Sequence, residues 1–230
     1  MNIDNNEIKK FDDIAYSWWD PNGPFKPLHM LNPVRTNFIK TRVNLDKKSI
    51  IDVGCGGGLL CENLISDTNK VLGIDMSKEA IEIAKAHRSL KNLKIDYEHI
   101  SLDQLINNTE KKYDVLTCLE LIEHVPDPEK LIKNCVEITE SRADLFFSTL
   151  NRNLISFFIS IIGAEYIFNI LPKGTHDYKN FIKPSEFCKT LRDNDLEINS
   201  LKGISYNILS NNFYESNNPN INYILHCKKK

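Results

Sequence analysis

Residues 50–58, with the sequence IIDVGCGGG, constrain the fold of this chain more than any other segment. A short apolar run leads into a loop in which four of five residues are glycine. Because glycine has no Cβ and accepts positive φ, such a loop lets backbone approach a ligand closely. The apolar-periodic stretch 59–65 then predicts a helix whose first N–H groups face the same ligand.

A second carboxylate completes this pattern. Asp75 ends the next predicted strand, twenty-one residues after Gly54. A carboxylate at that distance is suited to accept hydrogen bonds from ribose hydroxyls. The segment therefore predicts a site for a ligand built on a nucleoside, and the alternative is a structural turn without a ligand.

The spacing of the glycines argues against a dinucleotide. Leu59 stands three residues after Gly56, where the dinucleotide fingerprint has its third glycine. Asp52 lies two places before Gly54, so the segment reads acid-x-Gly-x-Gly-x-Gly and resembles the first motif of class I methyltransferases, which bind S-adenosylmethionine (SAM). An acidic side chain there would help hold the ammonium group of SAM, directly or through water.

Strand and helix patterns alternate through the middle of the chain, which predicts a mostly parallel α/β sheet with helices on both faces. Two final strands predict a C-terminal antiparallel hairpin, and this seven-strand arrangement looks like the Rossmann-like class I methyltransferase sheet. The segment 211–220 reads as a polar, Asn-rich loop. The predicted strands are 49–53, 71–74, 95–99, 114–119, 145–148, 196–204 and 222–227, and the predicted helices are 59–65, 78–88, 129–139 and 184–192.

Composition bounds the environment of the protein. The formal charge of −2 offers no overall positive field, so a nucleic-acid partner is not expected. Six scattered cysteines without a C-x-x-C pair, and no secretory signal, indicate reduced and mostly buried thiols in a cytoplasmic protein. Of the histidines, His87 and His99 are expected on the solvated surface.

With the segment 113–128, YDVLTCLELIEHVPDP, in view, the chain closely resembles the ubiquinone biosynthesis O-methyltransferase family. Glu140-Ser-Arg142 departs from the Pro-Gly turn that methyltransferases often have before the fifth strand. The other supporting segments are WWD at 18–20, FKPLH at 25–29, NPVR at 32–35, FSTLNRN at 147–153, GAEY at 163–166 and PKGTHD at 172–177.

The resemblance implies roles for particular residues. Arg35 would contact the SAM carboxylate, for which its fork of donors is suited. Gly54 would lie under the cofactor, Asp75 would take the ribose, and Leu119 would lie near the adenosyl group. The predicted cofactor-binding residues are Arg35, Asp52, Gly54, Gly56, Asp75 and Leu119.

The implied reaction is O-methylation of polyprenyl catechol (2-polyprenyl-6-hydroxyphenol) and demethylubiquinol. The alternatives are another small phenol or a non-catalytic, lipid-associated nucleoside-binding module. A phenol titrates near pH ~10, so a base or a cation must assist at neutral pH. In a helical turn Glu120, Glu123 and His124 would share one face. They could bind Mg²⁺ or another divalent cation, or His124 could act as a base oriented by the glutamates.

A single domain over 1–230 is expected, with an N-terminal helical cap at about 1–45 and an apolar lid insertion at about 151–183. The segment 154–171 has a single charge, Glu165. It approaches the minimum length of a membrane-spanning helix but interrupts the fold, so we expect a lid that makes peripheral contact with the inner face of the membrane. The resemblance also leaves open a complex with other quinone-biosynthesis proteins.

Overall fold

The computed structural model describes residues 2, 4–153, 180–207 and 209–230 of the 230-residue chain. The helices are α1 (Asn5–Asp12), α2 (Lys26–Lys40), α3 (Leu59–Leu64), α4 (Lys78–Lys91), α5 (Leu102–Asn108), α6 (Pro128–Glu137) and α7 (Pro184–Asp193). The strands are β1 (Ser49–Val53), β2 (Lys70–Asp75), β3 (Ile95–His99), β4 (Tyr113–Leu119), β5 (Thr139–Leu150), β6 (Leu196–Asn207), β7 (Asn212–Ser216) and β8 (Asn222–Lys229). Short 3₁₀ helices cover Ala15–Ser17 and Ile122–His124.

These strands form one sheet in the order β3-β2-β1-β4-β5-β8-β6-β7. Strands β1 to β5 pair in parallel, whereas β8 joins β5 and β6 antiparallel. The strand order reverses direction between β1 and β4, which is where ligands bind in sheets of this type. The predicted fold class is confirmed.

Apolar side chains cover both faces of the sheet. On one face, strand residues pack with buried side chains of α5, α6 and α7, such as Leu105, Ile132 and Phe187. On the other face, α2, α3 and α4 contribute Phe38, Leu64 and Ile81. Both clusters are continuous across the strands, so the carboxyl ends of β1, β2 and β4 sit on a rigid base.

Local capping chemistry explains where the helices begin. The Ser77 side chain accepts a hydrogen bond from the Ala80 N–H at the start of α4, and Asp127 caps α6 ahead of Pro128 at the first helical position. Ser101 and Gln104 form a reciprocal capping box at α5, a helix that the sequence analysis did not predict.

Two sequence predictions about the C-terminal half are wrong. The Asn-rich segment 211–220 is not only a loop, because it contains β7, which pairs with β6 and makes the sheet eight-stranded. Strand β5 is twelve residues long and begins before the predicted 145–148. The Glu140-Ser-Arg142 segment lies inside it, with Arg142 in a left-handed conformation (φ 63°).

Other expectations have mixed outcomes. All six cysteines are free and buried, as predicted. His99 is exposed, as expected, but His87 is not a solvated surface residue, because its ring stacks on Trp19. The 154–171 segment, and most of the predicted lid, lie outside the described residues. Within the part of the chain that is described, no helix is long and apolar enough to cross a membrane.

Candidate active site

Among the described residues, a large cavity opens at the carboxyl ends of β1, β2 and β4, with a volume of about 1190 Å³. It is walled on the outer side by the N-terminal segment and α2, through residues such as Trp18 and Leu31. Eight of the nine predicted site residues line it, and Glu123 is the exception. The eight are Arg35, Asp52, Gly54, Gly56, Asp75, Leu119, Glu120 and His124.

The glycine loop can only be built from glycine because of its backbone and its neighbours. Gly54, Gly56 and Gly58 have φ of 77°, 51° and 87°. A Cβ on Gly56 would lie 2.1 Å from the indole ring of Trp18, and one on Gly57 would lie 2.3 Å from the same ring. The Trp18 indole therefore packs directly on the loop. The close approach that the glycines were expected to allow a ligand is, at Gly56 and Gly57, made by an aromatic side chain.

Asp75 fixes the shape of this loop. Its Oδ2 accepts the Gly56 N–H at 2.8 Å, and its Oδ1 accepts the Ser77 N–H at 2.8 Å. Each carboxylate oxygen has two acceptor sites, so Asp75 keeps acceptor capacity for a ribose hydroxyl. Burial raises the pKa of Asp75, and the two N–H donors oppose that shift.

Asp52 lies deeper than the sequence analysis supposed. Its carboxylate accepts the Thr117 hydroxyl at 2.6 Å and the Cys61 thiol at 3.3 Å. Burial raises the pKa of Asp52 to about 6, although both hydrogen bonds lower it. The side chain lines the cavity as one buried negative charge, and a cationic ammonium group at the loop would offset the cost of burying that charge.

A polar cluster surrounds Glu120 at the end of β4. Glu120 Oε1 accepts the Ser148 hydroxyl at 2.8 Å and the Asn222 amide N–H at 3.0 Å. The Arg35 guanidinium Nη2 lies 3.3 Å from the same oxygen. Arg35 is buried, and apart from this ion pair its Nε and Nη2 make no hydrogen bond to the described residues. Free donors on a buried guanidinium are suited to an anionic ligand such as a carboxylate.

The expectation that Glu120, Glu123 and His124 share one helical face is wrong. Glu120 adopts a left-handed backbone (φ 52°), and only Ile122–His124 form a single 3₁₀ turn. His124 lines the cavity and packs edge-on against Phe11. Glu123 is buried, accepts the Thr149 hydroxyl at 2.9 Å, and has its pKa raised by burial and by the negative charge of Glu120.

These placements do not fit the predicted Mg²⁺ site. Within the described ranges, no group of three or more His, Cys, Asp or Glu side chains could hold a metal ion. Glu120 already accepts hydrogen bonds from Ser148 and Asn222 and faces the positive charge of Arg35, while Glu123 turns toward Thr149. A divalent cation at Glu120 would meet the repulsion of the guanidinium.

The sequence analysis assigned no role to Trp19, which the structure places against the glycine loop, or to its stacking partner His87. The Trp19 indole N–H donates to the Gly57 carbonyl at 3.1 Å, and the Trp19 ring stacks on His87 at 3.5 Å. His87 Nδ1 in turn lies 2.7 Å from Glu62 on α3. The paired tryptophans were a visible signal, but only the folded chain shows that they close over the loop.

SAM fits this site by its chemistry. Gly54 and Gly56 line the cavity, Asp52 offers a negative charge for an ammonium group, and Arg35 offers unused donors for a carboxylate. Asp75 retains acceptor sites for ribose hydroxyls. The residues present can therefore hold each polar end of the methyl donor.

Comparison with known proteins decides the family. A family model described as a methyltransferase domain matches residues 29–201. The ubiquinone biosynthesis O-methyltransferase of Burkholderia pseudomallei is 44% identical over 228 residues, covering 99% of this chain and 98% of that protein. The same enzyme from Hahella chejuensis is 42% identical, with 99% and 96% covered. This chain belongs to the ubiquinone biosynthesis O-methyltransferase family. It is a SAM-dependent O-methyltransferase.

Solved structures agree on the fold of this O-methyltransferase. A SAM-dependent methyltransferase from Thermotoga maritima, a possible histamine N-methyltransferase, superposes with a TM-score of 0.68 at 19% identity, covering 97% of this chain and 100% of that one. The magnesium protoporphyrin IX methyltransferase from Synechocystis, solved with bound SAH, also gives 0.68, at 18% identity with 98% and 95% covered. At these identities the similarity concerns the fold alone.

Proposed function

We propose that this O-methyltransferase transfers the methyl group of SAM to a phenolic oxygen of polyprenyl catechol (2-polyprenyl-6-hydroxyphenol) and of demethylubiquinol. One observation carries the proposal: the glycine loop and the polar cluster around Glu120 line the same cavity. A methyl donor and a hydroxylated ring can therefore meet there. The names of the curated relatives support the pathway.

The reaction is an in-line displacement. The bond between the sulfonium sulfur and its methyl carbon breaks as the bond between that carbon and the phenolic oxygen forms, which leaves neutral S-adenosylhomocysteine (SAH). The phenolic proton passes to a base on the protein. Holding donor and acceptor in line supplies much of the rate enhancement, because it replaces a bimolecular encounter.

We assign the base to His124, which lines the cavity one short 3₁₀ turn beyond Glu120. A neutral imidazole can take the proton of a phenolic hydroxyl within hydrogen-bond reach, as a general base does. Glu120, fixed by Ser148, Asn222 and Arg35, would receive the second hydroxyl of a catechol and set its orientation. Because the Mg²⁺ set does not fit, no step here passes through a metal.

The test is methyl transfer from labelled SAM to a catechol bearing a two-isoprene tail, with EDTA present or absent. We expect label in the lipid extract that EDTA does not remove. His124→Gln should lower kcat by about 10²–10⁴-fold. Its residual rate should climb as the pH approaches the phenol pKa of ~10, since the substrate then ionises unaided.

His99→Gln is the matched control, because His99 is exposed and hydrogen-bonds only the Met76 carbonyl among the described groups. Its activity should stay at the wild-type level. Activity lost with EDTA and restored by Mg²⁺ would overturn the assignment of His124 as a metal-free base. SAM binding without transfer to any tailed phenol would overturn the substrate, and would favour another small phenol or a non-catalytic module.

We further propose peripheral contact with the membrane through 154–171, a segment outside the described residues. Burying a polyprenyl tail in the bilayer is favourable by ~0.8 kcal/mol per CH₂, so a substrate that carries such a tail stays in the membrane. The proposal predicts that deleting 154–171 lowers co-sedimentation with anionic liposomes. Unchanged co-sedimentation would contradict it. A complex with other quinone-biosynthesis proteins stays a prediction that co-purification can test.

A further inference from the structure

The cavity extends well beyond the glycine loop. Its volume of about 1190 Å³ exceeds the ~300–1,000 Å³ of an ordinary single-ligand pocket. The extension runs between the first half of α2 and the β6–β7 hairpin, and we call it the hairpin groove. It is lined by Met30, Leu31, Ile204, Tyr206 and Phe213.

Strand register makes this groove continuous with the polar cluster. Asn222 on β8 pairs directly with Ile204 on β6, so their side chains lie on one face about 5 Å apart. Tyr206 lies two residues farther along the same face of β6, about 7 Å away, and pairs with Phe213 on β7. A path of roughly 12 Å thus leads from the amide of Asn222 to the hairpin rim.

Exposure rises steadily along that path. Ile204 is 3% exposed, Phe213 is half-buried, and Tyr206 is 42% exposed at the rim. On the hairpin turn just beyond, Leu209 is 99% exposed. The groove therefore has a closed polar end and an open apolar end.

Tertiary contacts hold the two walls of the groove at a fixed separation. Arg42 near the end of α2 pairs with Glu215 on β7, with Nη2 to Oε1 at 2.8 Å, and its guanidinium also lies over the Phe38 ring at 3.5 Å. Tyr206 and Phe213 contact each other, with ring centroids 5.0 Å apart. The hairpin is anchored at its base, so the groove is a formed feature of the fold.

The inner end offers an unused acceptor. Asn222 donates its amide N–H to Glu120 Oε1, and its buried Oδ1 has no hydrogen-bond partner among the described residues. A buried acceptor without a donor is costly, and a ligand hydroxyl would satisfy it. The geometry points to the following arrangement, which rests on the proposed function: the second ring hydroxyl, the one beside Glu120 that is not methylated, donates to Asn222 Oδ1, and the isoprenoid tail of the substrate lies in the hairpin groove.

The test compares two exposed tyrosines of the same hairpin. Tyr206 lines the groove, whereas Tyr214, 49% exposed on β7, does not line the cavity. We would prepare Tyr206→Asp and Tyr214→Asp, together with Met30→Trp, which fills the groove from the α2 side. For each, kcat/KM is measured with a catechol bearing two isoprene units and with tail-free catechol. Binding of farnesol, which has no ring, is measured separately by calorimetry.

Each CH₂ buried in the groove favours the tailed substrate by a factor of about four. The wild-type protein and Tyr214→Asp should therefore prefer the tailed catechol by at least roughly tenfold and should bind farnesol. In Tyr206→Asp and Met30→Trp the preference should fall to about threefold or less, and farnesol should bind at least roughly tenfold more weakly.

Two results would overturn the inference. One is a tail preference and farnesol affinity that survive in both groove variants. The other is an equal loss of tail preference and farnesol affinity in Tyr206→Asp and Tyr214→Asp, which would mean that the tail does not contact the face of the hairpin that lines the groove. Farnesol binding that depends on Tyr206 and Met30, without methyl transfer to any catechol, would support the groove and contradict the proposed function instead.

Discussion

Gly56→Ala is the substitution that most directly disturbs the contact between the glycine loop and Trp18. Gly56 has a φ of 51°, and a Cβ there would lie 2.1 Å from Cζ2 of the Trp18 indole. The ring cannot rotate away freely, because it also packs on Phe25 with ring centroids 4.0 Å apart. The loop and the indole cannot both keep their positions once Gly56 is replaced.

The magnitude has two parts. A left-handed conformation costs an L-residue about 1–2 kcal/mol. Moving a packed ring by more than 1 Å is an overpacking effect of typically ~1–3 kcal/mol. Together they amount to about 2–5 kcal/mol, and the native fold as a whole is stable by only ~5–15 kcal/mol. If the indole yields rather than the fold, the affinity for SAH should drop by at least roughly tenfold.

Intrinsic fluorescence provides the assay. The chain has two tryptophans, Trp18 and Trp19, and both contact the glycine loop. Titration with SAH should change wild-type emission, and Gly56→Ala should shift the unliganded emission and weaken the response. Gly23→Ala is the control, because the atoms nearest to its Cβ would all belong to Asp20, the first at 3.2 Å, and not to a tryptophan. Wild-type emission and SAH affinity in Gly56→Ala would refute this reasoning.

Three further substitutions give expected outcomes. Asp75→Asn leaves the N–H of Gly56 or Ser77 without its acceptor, at a cost of about 1–3 kcal/mol. Calorimetry should therefore show the affinity for SAM falling by roughly tenfold. An unchanged affinity would contradict the role of Asp75 in fixing the shape of the loop. Trp19→Phe loses the bond to the Gly57 carbonyl and should raise the KM for SAM severalfold with kcat nearly constant; a fall in kcat alone would exclude this role. Asp52 has a folded pKa of about 6, above its unfolded value, so the folded state binds the extra proton and loses stability as pH rises from 4 to 7. Urea unfolding should show the wild type losing about 2 kcal/mol more than Asp52→Asn over that range, and equal slopes would refute the raised pKa.

Local patterns were sufficient to predict the parallel half of the sheet. Apart from α5, which was not predicted, the strands and helices between Ser49 and Glu137 combine apolar periodicity with strong caps such as Ser77 and Asp127, so their local preferences agree with the fold. Strand β7 could not be predicted in this way. Its Asn-rich composition is typical of a loop, and pairing with β6 and the Arg42–Glu215 ion pair hold it as a strand.

In the site, too, some features follow from the local sequence and others depend on residues far apart in the chain. The positions of Gly54, Gly56 and Asp75 follow from the strand-loop-helix pattern around them. The geometry of Glu120 does not, since its left-handed backbone depends on contacts with Ser148 and Asn222, which are 28 and 102 residues away.

A structure with SAH and a two-isoprene catechol bound together would test the central claim most directly. We predict SAH against the Gly54–Gly56 loop, with one ring oxygen at Asn222 and the other facing the sulfur, and the tail between α2 and the β6–β7 hairpin. A catechol bound outside this cavity, or SAH away from the glycine loop, would contradict the claim that one cavity brings donor and acceptor together.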